Sequence, residues 1–134
     1  MVVADDDAFL RQLVCATLAG AEYDIVEATD GDEALQLIRE RRPHLALLDV
    51  QMPGINGLEV CRQVKTDPEL SQMGVVLLTG SIYAEDRERG HKVGADAYLT
   101  KPFSPLQLLE TIRWLVAERK RRTDPPPFDP RRPA

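Results

Sequence analysis

The sequence predicts an α/β domain: a five-stranded parallel sheet, doubly wound, in the order 2-1-3-4-5 and with five helices. Two observations predict this fold class. Short apolar segments alternate along the chain with longer amphipathic segments of helical period. Three of the short segments are apolar on consecutive residues, which is typical of strands covered on both faces of a parallel sheet. Right-handed crossovers between such strands place helices on both faces.

Five segments have the length and composition of strands. Residues 2–4, 45–49 and 75–79 are the three continuous apolar segments, and we predict that they are strands covered on both faces. Residues 23–27 and 97–100 are less uniformly apolar and are predicted to be the second and fifth strands.

Helical periodicity marks the segments between the first four strands. Apolar residues recur at i, i+3, i+4 and i+7 in the first helix, and shorter versions of the pattern mark the second and third. These positions are Leu10, Leu13, Val14, Thr17 and Leu18, then Ala34, Leu35, Leu37 and Ile38, then Val60, Cys61 and Val64. The two cysteines, Cys15 and Cys61, are too few for a disulfide scaffold and lack metal-ligand spacing, so we expect both to be core residues.

The last two helices differ in the strength of their signals. The fourth, at 83–93, has few apolar residues, and Gly90 costs about 1 kcal/mol relative to alanine in a helix. We therefore expect it to be the most mobile helix. The fifth begins with an N-cap at Ser104, a first-turn proline at Pro105 and the glutamine of a capping box at Gln107.

Length and composition indicate one globular domain. The chain has 134 residues, of which 43% are hydrophobic and 29% charged. No apolar segment reaches the roughly 18 residues of a membrane span, and the expected location is the cytoplasm. Residues 1–121 are predicted to form the domain. Five of the ten prolines fall in the last ten residues, so we predict that 122–134 is a proline-rich tail or linker stub.

The distribution of charge argues against nucleic acid as the main partner. Residues 1–112 carry 10 basic and 19 acidic side chains, whereas residues 113–134 carry 7 basic and 3 acidic ones. Binding to a duplex requires cationic side chains that neutralise phosphates. An acidic body does not supply them, and we expect the basic end to be a solvated helix terminus.

Polar and charged residues follow the predicted strands at their carboxyl ends, where open α/β sheets bind ligands. If the strand order is 2-1-3-4-5, the first and third strands are neighbours, and Asp5, Asp6 and Asp49 share one crevice. A carboxylate cluster with no nearby His or Cys suits Mg²⁺ or Mn²⁺. Lys101 adds a cation and Thr79 a hydroxyl group. Together they are the set that phosphoryl transfer requires, and a carboxylate can itself accept the phosphoryl group.

Four sequence segments carry a family resemblance. They are 3–7 (VADDD), 48–54 (LDVQMPG), 77–80 (LLTG) and 94–103 (GADAYLTKPF). Each is a weak pattern alone, but four in order, each at a strand end, are highly specific. Over about residues 2–117 the sequence resembles the receiver domain of two-component response regulators, which implies a flavodoxin-like sheet.

The resemblance implies how the acidic residues act. Asp49 is the implied phosphoacceptor, which forms an aspartyl phosphate. Asp6 is implied to bind Mg²⁺ directly and Asp5 largely through water, while Asp49 and the backbone carbonyl of Gln51 complete the metal ligands.

The resemblance also implies roles for residues of the fourth and fifth strands. Thr79 bonds a phosphoryl oxygen after the reaction, and Lys101 pairs with the phosphoryl group. Tyr98 is the switch aromatic, which rotates inward as Thr79 moves. The bond between Lys101 and Pro102 is implied to be cis.

The function that follows is a phosphorylation-controlled switch rather than an enzyme, although the domain assists the phosphorylation and dephosphorylation of its own aspartate. The implied donor is a sensor histidine kinase or a phosphotransfer protein. The face of the fourth helix, fifth strand and fifth helix then changes shape for a downstream effector or for a second copy in a homodimer. Trp114 lies off the apolar stripe of the fifth helix, as a flank of the core or as an exposed anchor for a partner.

Two other classes of function remain open at this point. One is a Mg²⁺-dependent phosphatase with an aspartate nucleophile, although such enzymes favour a second acid two residues after the nucleophile, where this chain has Gln51. The other is a receiver-like binding module that is never phosphorylated. The complete set of acids, threonine and lysine argues against that alternative.

Overall fold

The computed structural model describes residues 1–20, 23–80 and 84–121, with the side chains of 84–87 and 119–121 excepted. Strands and helices alternate throughout. The strands are β1 (Val2–Ala4), β2 (Val26–Ala28), β3 (Leu45–Asp49), β4 (Gly74–Thr79) and β5 (Ala97–Thr100). The helices are α1 (Ala8–Leu18), α2 (Gly31–Arg41), α3 (Gly57–Thr66), α4 (Ala84–Lys92) and α5 (Pro105–Arg121).

The five strands form one parallel sheet in the order β2-β1-β3-β4-β5, which confirms the predicted topology. Every residue of β1, β3 and β4 is buried, as expected for central strands between two helical layers. β2 and β5 are the edge strands and are only partly buried.

Two apolar clusters, one on each face, hold the helices against the sheet. Alternate residues of each central strand point to opposite faces, so that Leu48 and Leu77 join the first cluster while Leu47 and Leu78 join the second. The first cluster contains buried residues of α2 and α3, and the second contains those of α1 and α5. The sheet is therefore doubly wound, as predicted.

The second strand differs from its prediction, which was wrong at both ends. Pairing with β1 joins Val2 to Val26 and Ala4 to Ala28, so the strand begins and ends later than 23–27. Residues that precede Val26 lie beyond the start of β1. At that point the ammonium group of Met1 donates a hydrogen bond to the carbonyl of Asp24 at 2.8 Å, and the strand pairing begins only at Val2 and Val26. β2 is short because the strand it pairs with is short.

The predicted capping box at the start of α5 is confirmed. The amide of Gln107 donates to the hydroxyl of Ser104, and the amide of Ser104 donates to the side-chain oxygen of Gln107, which makes a capping box.

Cys61 is a fully buried core residue, as expected. Cys15 is only half-buried and belongs to neither apolar cluster, so the expectation that it is a core residue was wrong: Val14 and Leu18 are the buried residues of α1. Trp114 is partly buried against the second cluster, which favours a flank of the core.

Two further expectations concern the C-terminal tail and membrane-spanning helices. The proline-rich tail, 122–134, lies outside the described residues. Among the residues that the structure does describe, no helix combines the length and the apolar character needed to cross a bilayer.

The start of β5 is fixed by an ion pair. The Asp96 carboxylate accepts the amide of Val75 and the Lys65 ammonium group, both at 2.8 Å. Lys65 also donates to the carbonyl of Met73 at 2.6 Å. Side chains of both partners are about 15% exposed or less, so this pair ties β5 to β4 and to α3 with little screening by solvent.

We predict that Asp96→Ala lowers the free energy of unfolding by about 3 kcal/mol, because it leaves the Lys65 charge nearly buried and unpaired. Urea denaturation measures the change. Glu69→Ala is the control, because its ion pair with Arg42 is more than 60% exposed on both sides and contributes under about 1 kcal/mol. Equal losses for the two variants would contradict the prediction.

Candidate functional site

The predicted site residues meet at the carboxyl edge of the sheet. Asp5 directly follows β1, Asp49 and Thr79 end β3 and β4, and Lys101 directly follows β5. In the described part of the chain, the polar residues that are buried are Asp5, Asp49 and Thr79. The parallel arrangement explains this convergence, because every strand delivers its last residue to the same edge.

The Lys101 ammonium group lies between two carboxylates. Its Nζ donates to Oδ2 of Asp5 at 2.8 Å and to Oδ2 of Asp49 at 3.1 Å. The Asp5 side chain is fully buried, that of Asp49 is 7% exposed and that of Lys101 is 27% exposed. Lys101 therefore joins three strand ends that are far apart in the sequence.

Backbone amides bind the other oxygen of each carboxylate. The amide of Asp7 donates to Oδ1 of Asp5 at 2.9 Å, and the amide of Gln51 donates to Oδ1 of Asp49 at 3.1 Å. Each carboxylate thus has one amide and one ammonium donor, which fixes its orientation. Asp7 also caps α1, because its Oδ1 accepts the amide of Phe9, as expected for an acid at a helix N-terminus.

Burial and charge oppose each other at Asp49. The net effect raises the pKa of Asp49 from 3.8 to about 6. Burial is the largest cause and the negative charge of Asp5 acts in the same direction, whereas the hydrogen bond and the charge of Lys101 and the amide of Gln51 lower the pKa. Burial alone would lower the pKa of Lys101. Its hydrogen bonds with Asp5 and Asp49 outweigh burial, and the net effect raises that pKa. Asp49 is therefore a basic carboxylate, still ionised at neutral pH.

The acidic residues have a donor set that fits a divalent cation. One oxygen from each of Asp5, Asp6 and Asp49 lies within 4.8 Å of the others. The donors are all oxygens, which suits Mg²⁺, and Asp6 is the exposed member of the three. Beside them is a groove of about 620 Å³ lined by residues that include Asp6, Gln51 and Arg89. The residues present therefore fit Mg²⁺.

The structure places Thr79 at the site and Tyr98 away from it. The carbonyl of Thr79 accepts the amide of Lys101 at 2.7 Å, and the Thr79 side chain is buried. Tyr98 pairs with Leu77, two residues before the edge, and its hydroxyl is already buried. The bond between Lys101 and Pro102 is cis, as the resemblance implied.

Two supporting residues were not predicted. Arg11 donates to the backbone carbonyl of Asp5 at 2.6 Å and to the Glu27 carboxylate at 3.2 Å, so α1 holds the acidic turn in place. The amide of Gly57 donates to the Val50 carbonyl at 3.1 Å, and an added Cβ there would overlap the carbonyl oxygen of Asp49. The sequence does not single out either residue, because the contacts that each makes with the site are to backbone atoms.

Comparison with known protein families gives a clear match. The model of the family described as the response regulator receiver domain matches residues 1–113. Among curated proteins, the chain is 39% identical over 129 residues to the DNA-binding response regulator MtrA of Mycobacterium tuberculosis, which covers 96% of the chain and 54% of MtrA. It is 34% identical over 125 residues to the phosphate regulon transcriptional regulatory protein PhoB of Pseudomonas aeruginosa, covering 93% of the chain and 53% of PhoB. The chain thus spans about half the length of these relatives.

Solved structures agree with the family match. The chemotaxis response regulator CheY4 of Vibrio cholerae superimposes with a TM-score of 0.80 at 33% identity, covering 85% of this chain and 95% of CheY4. A CheY-like response regulator receiver domain protein of Methanospirillum hungatei superimposes with a TM-score of 0.84 at 27% identity, covering 90% of this chain and 95% of the M. hungatei chain.

We predict that Asp49→Asn raises the free energy of unfolding at pH 7 by about 1–3 kcal/mol in the presence of a chelator. Because the pKa of Asp49 is raised on folding, the contribution of Asp49 to stability is fully present below about pH 3.8 and is lost as the pH rises through about 6, where the buried carboxyl ionises. The neutral amide avoids this loss, so the difference between wild type and variant should vanish below about pH 4.

Denaturation in urea at several pH values measures this difference. Asp32→Asn is the control, because Asp32 is exposed and its removal should change stability by about 0.5 kcal/mol or less. A variant that is less stable than wild type at pH 7, or a difference independent of pH, would contradict the prediction.

Proposed function

Because the chain belongs to the response regulator receiver domain family of two-component systems, we propose that it is a phosphorylation-controlled switch with Asp49 as the phosphoacceptor. The single observation that supports this most is the Lys101 ammonium group shared by two buried carboxylates. A lysine with no role at the site would extend into solvent rather than lie between two buried carboxylates. A phosphoryl acceptor, in contrast, requires a cation beside it.

The proposed reaction moves a phosphoryl group from a histidine of a sensor kinase or phosphotransfer protein. An oxygen of the Asp49 carboxylate attacks phosphorus, a P–O bond forms, and the P–N bond to the donor imidazole breaks with its electron pair returning to nitrogen. The raised pKa of Asp49 makes the carboxylate a better nucleophile than an exposed one. Lys101 remains close enough to neutralise charge on the phosphoryl oxygens.

Mg²⁺ would be held by Asp5, Asp6 and Asp49, with the carbonyl of Gln51 as a proposed further ligand. Bound there, the cation would neutralise phosphoryl charge and offset the repulsion among the acids. The chain's own residues keep the site in order: amides of Asp7 and Gln51 orient two of the carboxylates.

The proposed signal passes from the site to the surface of α4, β5 and α5. We propose that Thr79 bonds a phosphoryl oxygen. Tyr98, which lies on the same face of the sheet as Thr79, is proposed to act as the aromatic switch. A new dianion at Asp49 would draw Thr79 and Lys101 toward it, because local charge is what such switches respond to. A downstream effector, or a second copy of the chain, would bind the altered surface.

Receiver domains of response regulators act with histidine kinases and downstream effectors, and they are signalling switches rather than classical enzymes. We propose that this domain assists its own phosphorylation and dephosphorylation and works in the cytoplasm. MtrA is named as a DNA-binding protein, but the chain spans only 54% of its length. That the chain itself does not bind nucleic acid remains a prediction from its acidic body.

The test is intact mass spectrometry after incubation with acetyl phosphate, with and without Mg²⁺. We expect wild type to gain one phosphoryl group only when Mg²⁺ is present, and Asp49→Asn to gain none. Asp7→Asn is the matched control: it removes a neighbouring carboxylate outside the site, and asparagine caps a helix as well as aspartate. No gain of mass by folded wild-type protein would favour a binding module that is never phosphorylated.

We predict that Lys101→Met lowers the rate of phosphorylation by about 10²-fold or more, because it removes a cation that stabilises developing charge. Time courses of the same mass measurement give the rate. Lys92→Met, which removes an exposed lysine of α4, should react like wild type. An unchanged rate in Lys101→Met would show that this ammonium group has only a structural role.

A further inference from the structure

A recess in α4 accommodates the ring of Tyr98. It exists because residue 90 is glycine: an added Cβ at Gly90 would overlap Cε1 of Tyr98 and lie 3.1 Å from the Tyr98 hydroxyl. The same Cβ would lie 2.9 Å from Cδ1 of Leu77. Tyr98 and Leu77 are paired neighbours on β5 and β4, so the helix, the ring and the sheet are in direct contact at this point.

Gly90 is the point at which this part of α4 meets the sheet. Among residues 88–92 it is the buried one, whereas its two neighbours on each side are exposed. Glycine is unfavourable in a helix interior relative to alanine. The buried position of this weakly apolar helix is therefore occupied by a residue that disfavours helix. The close contact of Gly90 with the Tyr98 ring explains why a glycine is found there.

Shape, rather than a hydrogen bond, holds the ring in this recess. The Tyr98 hydroxyl is buried and has no hydrogen-bond partner among the described residues. A buried hydroxyl without a partner costs free energy, so the favourable part of the interior position comes from packing of the ring against the first apolar cluster. That packing requires the space at residue 90.

We propose that Gly90 is a positioning residue for Tyr98, and that the missing side chain at residue 90 is what admits the ring to the interior. A methyl group at this position would force the ring outward or push α4 away from the sheet.

The consequence for signalling rests on the proposed function. Because the space comes from the missing side chain at residue 90 and not from a group at Asp49, phosphorylation would change how often Tyr98 occupies the recess rather than create it. The size of residue 90 would then set the proportion of molecules with the ring inside, and thereby the shape of the α4–β5–α5 surface in the resting state. The position of the ring itself can be tested without phosphorylation.

The first experiment measures exposure of Tyr98 by ¹⁹F NMR of the full chain labelled with 3-fluorotyrosine. Tyr98→Phe assigns its resonance among the three tyrosines. The shift between H₂O and D₂O should be small for Tyr98 in wild type and should rise in Gly90→Ala toward the value of an exposed tyrosine. Gly20→Ala is the control, because nothing lies within 4 Å of its added Cβ. A Tyr98 resonance equally protected in Gly90→Ala and wild type would overturn the proposal.

The second experiment is a double-mutant cycle that measures Tm. It tests the proposal even if the Gly90→Ala variant does not fold, because the same substitution is also made in the Tyr98→Ala background. In the Tyr98→Ala background the ring is gone, and the remaining neighbour of the added Cβ is Cδ1 of Leu77, the end of a flexible side chain. Gly90→Ala should therefore lower Tm much less than in the wild-type background, or raise it through better helix propensity. In the wild-type background it should lower Tm or prevent folding. Equal changes of Tm in both backgrounds, or a double variant that does not fold, would show that Gly90 and Tyr98 are not coupled.

These outcomes are independent of the phosphorylation test. If wild-type protein gains no phosphoryl group but Tyr98 becomes exposed in Gly90→Ala, the proposed function fails and the positioning role stands. If wild type is phosphorylated but the cycle shows no coupling, the positioning role fails alone.

Discussion

The interaction on which the site depends is the shared ammonium group of Lys101. Two carboxylates buried at the edge of the sheet repel each other, and burial makes each charge more costly. Lys101 contacts both at 3.1 Å or less and so allows Asp49 to remain ionised at neutral pH despite its raised pKa. The Lys101 side chain is close to the acids but 27% exposed, and we propose that it binds incoming phosphoryl oxygens without leaving its place.

The fold explains how Lys101 reaches that position. β5 is an edge strand with few buried residues of its own, and it is anchored at its start by the ion pair of Asp96 with Lys65. At its end the amide of Lys101 donates to the carbonyl of Thr79, which continues the ladder with β4. The α1 helix supports the opposite side through the bond from Arg11 to the carbonyl of Asp5. Packing, backbone hydrogen bonds and charge thus act on one edge of the sheet.

The sequence was sufficient for the parts of this arrangement that depend on strand ends. Apolar strands of a parallel sheet deliver their last residues to one edge, so the meeting of Asp5, Asp49 and Lys101 could be predicted from the strand order. The bounds of β2 could not, because they depend on the length of its partner strand. Contacts of Gly57 and Gly90 could not either, since a glycine in a sequence does not reveal which atom needs the space.

The most direct test of this account is a crystal structure of the protein with Mg²⁺ and beryllium trifluoride, an analogue of a phosphoryl group on a carboxylate. The account predicts beryllium bonded to an oxygen of Asp49, a fluorine in contact with Nζ of Lys101, and a metal ion held by the oxygens of Asp5, Asp6 and Asp49. Beryllium trifluoride bound to another residue, or a Lys101 side chain that points away from it, would contradict the claim that this shared cation defines the site.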